Sequence, residues 1–578
     1  MSQQGKIVKS VQVALVGSGG AGVMTAGQML LDAAAKAGYY GLMTRSSGPQ
    51  IRGGEAAAFV RIGAEPVLAP DDRFDVLIAF DWQNVGRFAA ELPLDGSSVI
   101  LTDPSQGEIP APIAKMGAKV IELPMKTMIE SIPGARVNMI GLGAIAALCE
   151  LPLDAIVATV GESLKRKGPE VMKASSASIT AGVEAAKKMG VSFPIAAVKG
   201  GYAERWNLSG NEAAGFGVVK GGVRFCAAYP ITPATEVLEW LAPNLAQIGG
   251  TLVQAEDELA SVNMIVGASF GGIPSVTATA GPGLALMTES IGLAVAAETP
   301  IVVIDVQRGG PSTGIPTKSE QSDLNIALYG LHGDAPHIVT AANSIADCLF
   351  TAQWSVHLAE SLQTAAIMLS DQMLGQSRSL CDRPADIDFG TKRLIPSPED
   401  LAKGDYKRYA NTPSGISPMA IPGQSGGEYT ADGLEHAETG TPSSSDVEHS
   451  KQLDKRLRKL EQFDFGDHWA DIEGEGDVAV LTWGSVTGPV REAAQRLTAQ
   501  GKKVKVISLR LLLPAQPEKL AKALKGVKKV LVVEQTHGKQ FYRYLRAFYD
   551  LPGKVDTFYR PGPLPVRPRE VEQRLAAI

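Results

Sequence analysis

The sequence of 578 residues predicts a multidomain α/β protein. Three observations carry that reading. Short apolar strand segments alternate with helical segments along three separate stretches. The chain is too long for one hydrophobic core, so about three domains are expected. Its 62 glycines and Ala-rich helical runs suit closely packed α/β layers better than a β-sandwich. An apolar content of 45% with 20% charged residues is ordinary globular composition.

The first stretch, 8–195, is read as an α/β domain of its own. It opens with strand VQVALVG (11–17), turns through SGGAG, and continues into helix VMTAGQMLLDAAAKAG. Strands follow at DVLIAF (75–80), SSVILTD (97–103) and KVIELP (119–124), a rhythm that predicts a parallel, doubly wound sheet. Residues 185–215, charged and Pro-containing, read as a linker.

The second stretch, 208–395, begins with the Gly-rich SGNEAAGFGVVKGG ahead of a helix. Residues 396–470 are rich in Pro, Gly and Ser and end in the charged helix HSKQLDKRLRKLEQF. That composition predicts a long irregular excursion, either a linker or a loop ordered against a partner. The last stretch, 471–578, reads as a βαβαβα unit: strands VAVLTWGS, KVKVISLRLLLP and KVLVVEQ with helices between and after them.

Composition also excludes classes of function. A net charge of −6 with no basic stripe offers nothing to neutralise phosphates, so nucleic-acid binding is not expected. Cys149, Cys226, Cys348 and Cys381 lie far apart without a C-x-x-C pair. Local spacing therefore provides no zinc or iron–sulfur site, and no metal ligand is assigned to this chain. No run of 18 apolar residues exists, and the amino terminus reads as a first strand rather than a signal peptide. A soluble cytoplasmic protein is expected.

Gly17, Gly19 and Gly22 fit G-x-G-x-x-G between a strand and a helix, where a dinucleotide pyrophosphate can rest on a helix amino terminus. The acid that such a site wants about 20 residues later is missing, since none precedes Glu55. The turn therefore serves packing, a nicotinamide cofactor, or contact with another phosphate ligand or partner through Arg45, Ser46 and Arg52.

The densest chemistry lies between Phe225 and Asp323, where Thr232, Glu258 and Arg308 fall at the carboxyl ends of three strands. Thr232 sits in YPITPATE, where its hydroxyl either caps the following helix or faces a cleft. Glu256, Asp257 and Glu258 stand at a helix start, a place that favours carboxylates. Glu258 also opens the face Glu258, Val262, Ile265, Ser269, so its carboxyl enters a core and needs a partner. Gly281, in AGPG, permits close approach of a ligand or backbone ahead of a helix near Leu284. Arg308 opens RGGPSTGIPT, where Ser312, Thr313 and their small neighbours leave a carboxylate-sized pocket beside a bidentate donor. A structural ion pair is the competing reading for Arg308.

With these residues in order, the sequence resembles the thiamine-pyrophosphate-dependent 2-oxoacid:ferredoxin oxidoreductases over nearly its whole length. GSGGAGVMTAG and SGPQIRGGEAAAFVRI are similar to the gamma component. YPITPATE, EDELASVNMIVGAS, TAGPGLALM and QRGGPSTGIPTKSEQSD are similar to the pyrimidine-side domain of the alpha subunit, and VAVLTWGSVTGPVREAA onward to its transketolase-like carboxyl-terminal domain. The gamma–alpha fusion and GPSTGIPTKSEQSDL are most similar to the 2-oxoglutarate:ferredoxin oxidoreductases.

The resemblance implies that Glu258 activates the cofactor, with Glu256 as second choice. It likewise implies that Tyr229, Pro230 and Gly281 lie against the cofactor, that Arg308 holds the substrate carboxylate, and that Thr232 orients substrate or ring. Lys318 is the candidate for a distal carboxylate, beside Ser312 and Thr313. The family's diphosphate motif GDG…N with its Mg²⁺ ligands is absent, as are cysteines for a [4Fe–4S] cluster. The resemblance places both on a separate beta subunit, with coenzyme A and ferredoxin as further reactants and an (alpha–beta)2 heterotetramer as the assembly. Pyruvate or branched-chain 2-oxoacids are the alternative substrates. A nicotinamide-dependent reductase or a non-catalytic scaffold subunit are the alternatives of another class.

Overall fold

The computed structural model describes residues 7–48, 54–199 and 205–578, which form two compact units. The first comprises Met1–Ser209, Gln376–Ala385 and Val566–Glu570, and the second Gly210–Gly375, Asp386–Pro565 and Val571–Ile578. The chain starts in the first unit with β1 (Ser10–Ser18), β2 (Tyr40–Ser47), β3 (Glu55–Gly63), β4 (Val76–Ala79), β5 (Val99–Thr102), β6 (Lys119–Glu122) and β7 (Trp206–Ser209). It then lays down β8 (Phe225–Ala228), β9 (Thr251–Gln254), β10 (Ser275–Thr279), β11 (Ile301–Gln307), β12 (Ile338–Ala341) and β13 (Ala365–Asp371) in the second unit. It returns to the first for β14 (Arg378–Cys381), and finishes the second with β15 (Ala470–Glu473), β16 (Val478–Trp483), β17 (Val504–Leu509), β18 (Leu511–Leu513), β19 (Lys529–Glu534) and β20 (Lys554–Tyr559).

The first unit is an eight-stranded sheet of order β6-β5-β4-β1-β3-β2-β14-β7. Only β6-β5-β4-β1 is parallel, as the strand–helix alternation predicts. From β1 onward through β3, β2, β14 and β7 every pairing is antiparallel. The sheet is therefore mixed rather than doubly wound throughout. Seven residues, 48–54, separate β2 from β3. That is too few for a crossover helix, so the chain doubles back as a hairpin. The expected linker 185–215 contains regular elements at both ends. It holds the end of helix Pro169–Lys187, edge strand β7, and the start of helix Gly210–Lys220.

The second unit carries a seven-stranded sheet, β18-β12-β13-β11-β10-β8-β9, and a five-stranded sheet, β15-β17-β16-β19-β20. Strands β9, β8, β10, β11, β13 and β12 are parallel. Strands β10, β11 and β13 are buried at every position; β11 and β13 accordingly read as mostly apolar runs, while β10 is SVTAT. The Gly-rich 210–221 stretch is itself a helix rather than a loop before one. A Cβ on Gly217 would lie 2.2 Å from the Leu349 carbonyl, and one on Gly210 2.4 Å from that of Leu374. Glycine is required there for helix Gly210–Lys220 to lie flush on its neighbours. KVKVISLRLLLP, expected to be one strand, breaks at Arg510. β17 stays in the five-stranded sheet, while β18 pairs antiparallel with β12 in the other. Arg510 binds Asp347 (2.9 Å) and Asp471 (2.7 Å) at that crossing.

Residues 396–445 hold one short helix, Pro398–Leu401, and end at helix Asp446–Glu461. They bury Leu401, Tyr409 and Met419 and are held in addition by polar groups. Arg393 makes a bidentate pair with buried Glu360 (2.8 Å each). At the carboxyl end of helix Gly281–Ala296, Glu298 takes a left-handed backbone, φ 49°. There the Glu298 N–H donates to Val295 O and the Thr299 N–H to Ala294 O, the bonding of a Schellman cap that usually wants glycine. The Glu298 carboxylate is fully buried between Lys455 and Lys459, the latter at 3.0 Å. Arg408 donates to the Glu298 carbonyl at 2.7 Å. Burial opposes the charge on Glu298, but these three cations hold its carboxyl well below the usual range.

Glu298→Gly suits the backbone yet strands two buried ammonium groups. It is expected to cost about 3–5 kcal/mol, read as a lowered denaturation midpoint and new protease cleavage within 396–445. A variant as stable as wild type would show that the backbone, not the charge, governs this cap.

Candidate active site

The parallel order β9, β8, β10, β11 sets four carboxyl ends side by side. Glu258 follows β9, Thr232 follows β8, Gly281 follows β10 and Arg308 follows β11. The structure thus brings together the three residues that sequence spacing assigns to one edge, Thr232, Glu258 and Arg308, and adds Gly281 between them.

Helix Glu258–Phe270 starts from Asp257, whose carboxylate accepts from the Ala260 N–H at 2.6 Å. Asp257 therefore caps the helix, leaving the next residue free to turn inward. Glu258 is 8% exposed while Glu256 is exposed on the outside. The Glu258 carboxyl lies against Gly283: a Cβ there would meet its Cγ at 2.8 Å and Thr279 Oγ1 at 2.0 Å. Gly281 gives the same service to another acid, since its Cβ would fall 2.5 Å from Asp323 Oδ1. The helix begins at Gly281, not near Leu284, so both carboxyls meet its first turn. The positive end of the helix dipole favours carboxylates at that point.

Helix Thr235–Gln247 is capped by Ala234 without a side-chain bond, so Thr232 does not serve as its cap. Thr232 is exposed, and its carbonyl accepts from Arg308 Nη1 at 2.6 Å. Arg308 is 6% exposed and its Nε, also buried, has no partner among the described residues. Burial holds its guanidinium below the ordinary value, with Asp323 and Glu258 acting in the opposite sense. A buried guanidinium with donor capacity left is a receptor for an anion.

The following loop is anchored from the five-stranded sheet. Gln321 Nε2 donates to the Trp483 carbonyl (2.8 Å), its N–H to Gln535 O (2.9 Å), and its Oε1 accepts from the Gln535 N–H (2.8 Å). Ser312 and Thr313 are exposed at the loop tip, Lys318 is half-buried, and Tyr229 is 40% exposed beside half-buried Pro230. Sequence reasoning missed Asp305, Gln307 and Asp323. An acid within the apolar strand IVVIDVQ is the signal that marks Asp305.

The glycine turn of the first unit is closed by protein groups. Ser18 donates its N–H (3.0 Å) and hydroxyl (2.7 Å) to Asp81, and the Gly19 N–H donates to Gly54 O (2.6 Å). A carboxylate there repels a phosphate. Strand β2 pairs with β3 and β14, not beside β1, so the position of a Rossmann ribose acid does not arise. Arg45 is half-buried and Ser46 buried on β2; Arg52 lies outside the described residues. No described helix is long and apolar enough to cross a membrane.

Three family descriptions match the chain in order. They are pyruvate ferredoxin/flavodoxin oxidoreductase over residues 12–185, its thiamine diphosphate-binding domain over 216–455, and the transketolase C-terminal domain over 468–575. The chain is 32% identical to the 2-oxoglutarate oxidoreductase subunit KorA of Mycobacterium tuberculosis, over 94% of this chain and 88% of that one. It is 32% identical to the 2-oxoglutarate synthase subunit KorA of Methanothermobacter marburgensis, over 64% of this chain and 98% of that one. A solved 2-oxoglutarate:ferredoxin oxidoreductase from Magnetococcus marinus, with 2-oxoglutarate, coenzyme A and succinyl-CoA bound, superimposes with a TM-score of 0.90. The two are 36% identical over 99% of both chains.

Gly283→Ala is expected to destabilise by about 1–3 kcal/mol through overpacking, with Thr279→Ala in the same chain recovering part of the loss. Unchanged thermal stability of the single variant would contradict the contact geometry.

Proposed function

The chain belongs to the 2-oxoacid:ferredoxin oxidoreductase family as a thiamine-diphosphate-dependent alpha subunit, and on that premise we propose 2-oxoglutarate as its substrate. In the proposed reaction 2-oxoglutarate, coenzyme A and oxidised ferredoxin give succinyl-CoA, CO2 and reduced ferredoxin, or the reverse. The observation that carries the site assignment is the row Glu258, Thr232, Gly281, Arg308 on adjacent strand ends, with Glu258 turned inward and Glu256 outward.

The residues present fit the cofactor's aminopyrimidine. A buried carboxyl leans on a glycine at a helix start, and Tyr229 and Pro230 stand across the same edge. Thiamine diphosphate supplies the electron sink that makes loss of CO2 from a 2-oxoacid feasible. Glu258 holds a proton against the pyrimidine N1′ position. Arg308 binds the carboxylate next to the reacting carbonyl, using the donor capacity that Thr232 O leaves open. The Thr232 hydroxyl orients the reacting oxygen, and Lys318 with Ser312 and Thr313 meets the distal carboxylate.

The diphosphate with its Mg²⁺, and the [4Fe–4S] cluster, are assigned to a beta subunit, since the sequence lacks both GDG…N and clustered cysteines. Two copies of each subunit form the proposed assembly, working in the cytoplasm. Domain limits of 8–195, 208–395, 396–470 and 471–578 complete this reading.

Glu258→Gln in the assembled enzyme should lower turnover by about 10²–10⁴-fold. Retention of more than half the activity removes the assignment, and a comparable loss in Glu256→Gln transfers it. Lys318→Met should raise KM for 2-oxoglutarate by about 10–150-fold, the worth of a charge-assisted bond of roughly 1.5–3 kcal/mol. KM for pyruvate should change little. Equal changes for both acids would show that Lys318 does not select.

A further inference from the structure

Beneath Arg308 lie two carboxyls that the reaction just described does not use. Asp305, on β11, is fully buried, and neither of its oxygens has a hydrogen-bond partner among the described residues. It is paired across the sheet with Thr279 and so shares the face on which Glu258 meets Gly283. A fully buried carboxylate without a protein donor is costly to keep ionised, which favours the neutral acid at Asp305. Asp323 packs on Gly281, and its Oδ2 is likewise buried and unpartnered. Its backbone N–H donates to Gln307 Oε1 at 3.1 Å, which fixes the main chain next to β11 while leaving the carboxyl itself loosely held.

We propose that Asp305 and Asp323 are positioning residues, two buried acids with unpartnered oxygens near the end of β11 whose charge state sets how much of the Arg308 charge is offered to the substrate carboxylate. The proposal rests on the reading of Arg308 as the carboxylate-binding residue. Two acids that act on one another in a low dielectric do not readily both ionise. The charged groups acting on Asp323 are Arg308 at the end of its strand and Glu320 on the preceding loop. Asp323 in turn acts on Asp305, and Glu258 acts on Arg308 from the neighbouring helix. Burial pushes the Asp323 carboxyl up to about 7; the Ser322 hydroxyl and Arg308 pull it down, and Glu320 pushes it further up. Asp305 lies well above the ordinary carboxylate range through burial and through Asp323.

The sign follows from these directions. Below about pH 7 Asp323 is neutral, and the full Arg308 charge faces the substrate. Above it Asp323 is anionic, offsets that charge, and weakens substrate binding. In the assembled wild-type enzyme, KM for the 2-oxoacid should rise about five- to tenfold from pH 6 to 8.5. Asp323→Asn should hold KM low and flat within about twofold, with kcat at pH 6 within about threefold of wild type. Asp305→Asn keeps that position neutral and should leave the rise of KM with pH in place, its loss assigning the titrating charge to Asp305 instead of Asp323. It serves if Asp323→Asn does not assemble.

Infrared difference spectra between pH 6 and 8.5 provide a readout independent of turnover. A buried carboxyl C=O band should disappear with rising pH in wild type and be absent from Asp323→Asn. A missing band, a KM that falls with pH, or a wild-type pH profile in Asp323→Asn overturns the proposal. If 2-oxoacid turnover is absent while the band titrates as described, the Arg308 reading fails and the buried titrating acid stands.

Discussion

Burial of the Glu298 carboxylate among Lys455, Lys459 and Arg408 is the constraint on which the arrangement of the second unit depends. Residues 396–445 have too few large apolar side chains to build a core of their own, and an irregular segment that long does not order itself. Their order comes from buried charge. Lys455 and Lys459 are on one helix, Arg408 is on the excursion, and all three converge on the carboxyl end of helix Gly281–Ala296. Lys459 also donates to the Gln363 carbonyl at 2.7 Å, tying the next helix end to the same point. Burial among other cations brings the Lys459 ammonium down to about 7 even though Glu298 opposes the shift. A buried pair of this kind is weak as a source of net stability and strong as a source of register, because either partner alone is costly.

The other end of that helix is the candidate active site, so one element is held by charge at both termini. Its first turn contains Gly281 and Gly283, and the missing side chains make room for Asp323 and Glu258. An alanine at either place would displace an acid that the site uses. The glycines of AGPG thus act by admitting this chain's own carboxyls up to the helix start. The same principle governs Gly210 and Gly217, where the neighbours are carbonyl groups of other helices and turns. Close approach of polar groups, more than apolar packing, shapes the carboxyl edge of the central sheet. It also explains why that edge holds unpartnered buried atoms on Arg308, Asp305 and Asp323.

Much of this was legible in the residues. Strands β11 and β13 of the central sheet are nearly continuous apolar runs, and their carboxyl ends follow from where those runs stop. Glu258 stands out from Glu256 by the helical face it shares with Val262 and Ile265, and the structure buries all three. Other features were not legible for identifiable reasons. The antiparallel half of the first sheet depends on a hairpin between segments without strict alternation, and on β14, supplied from about 330 residues later than β2. The break at Arg510 depends on Asp347 and Asp471, which are remote in sequence. Helix Asp446–Glu461 reads from sequence only as a charged helix, yet Lys455 and Lys459 are buried because their partner comes from residue 298.

The sequence by itself determined the local terms: which segments form strands, where helices start, and that Thr232, Glu258 and Arg308 fall at strand ends. It also carried the motifs by which the chain joins its family. These depend on neighbours a few residues apart, through periodicity, capping and turn chemistry. Only the tertiary structure decided strand order, and with it the adjacency of β9, β8, β10 and β11 that turns separate motifs into one site. It alone decided which acids lose their water. Burial and electrostatic coupling act through space at a few ångströms, between residues such as Glu298 and Lys459. No pattern of sequence spacing encodes that distance.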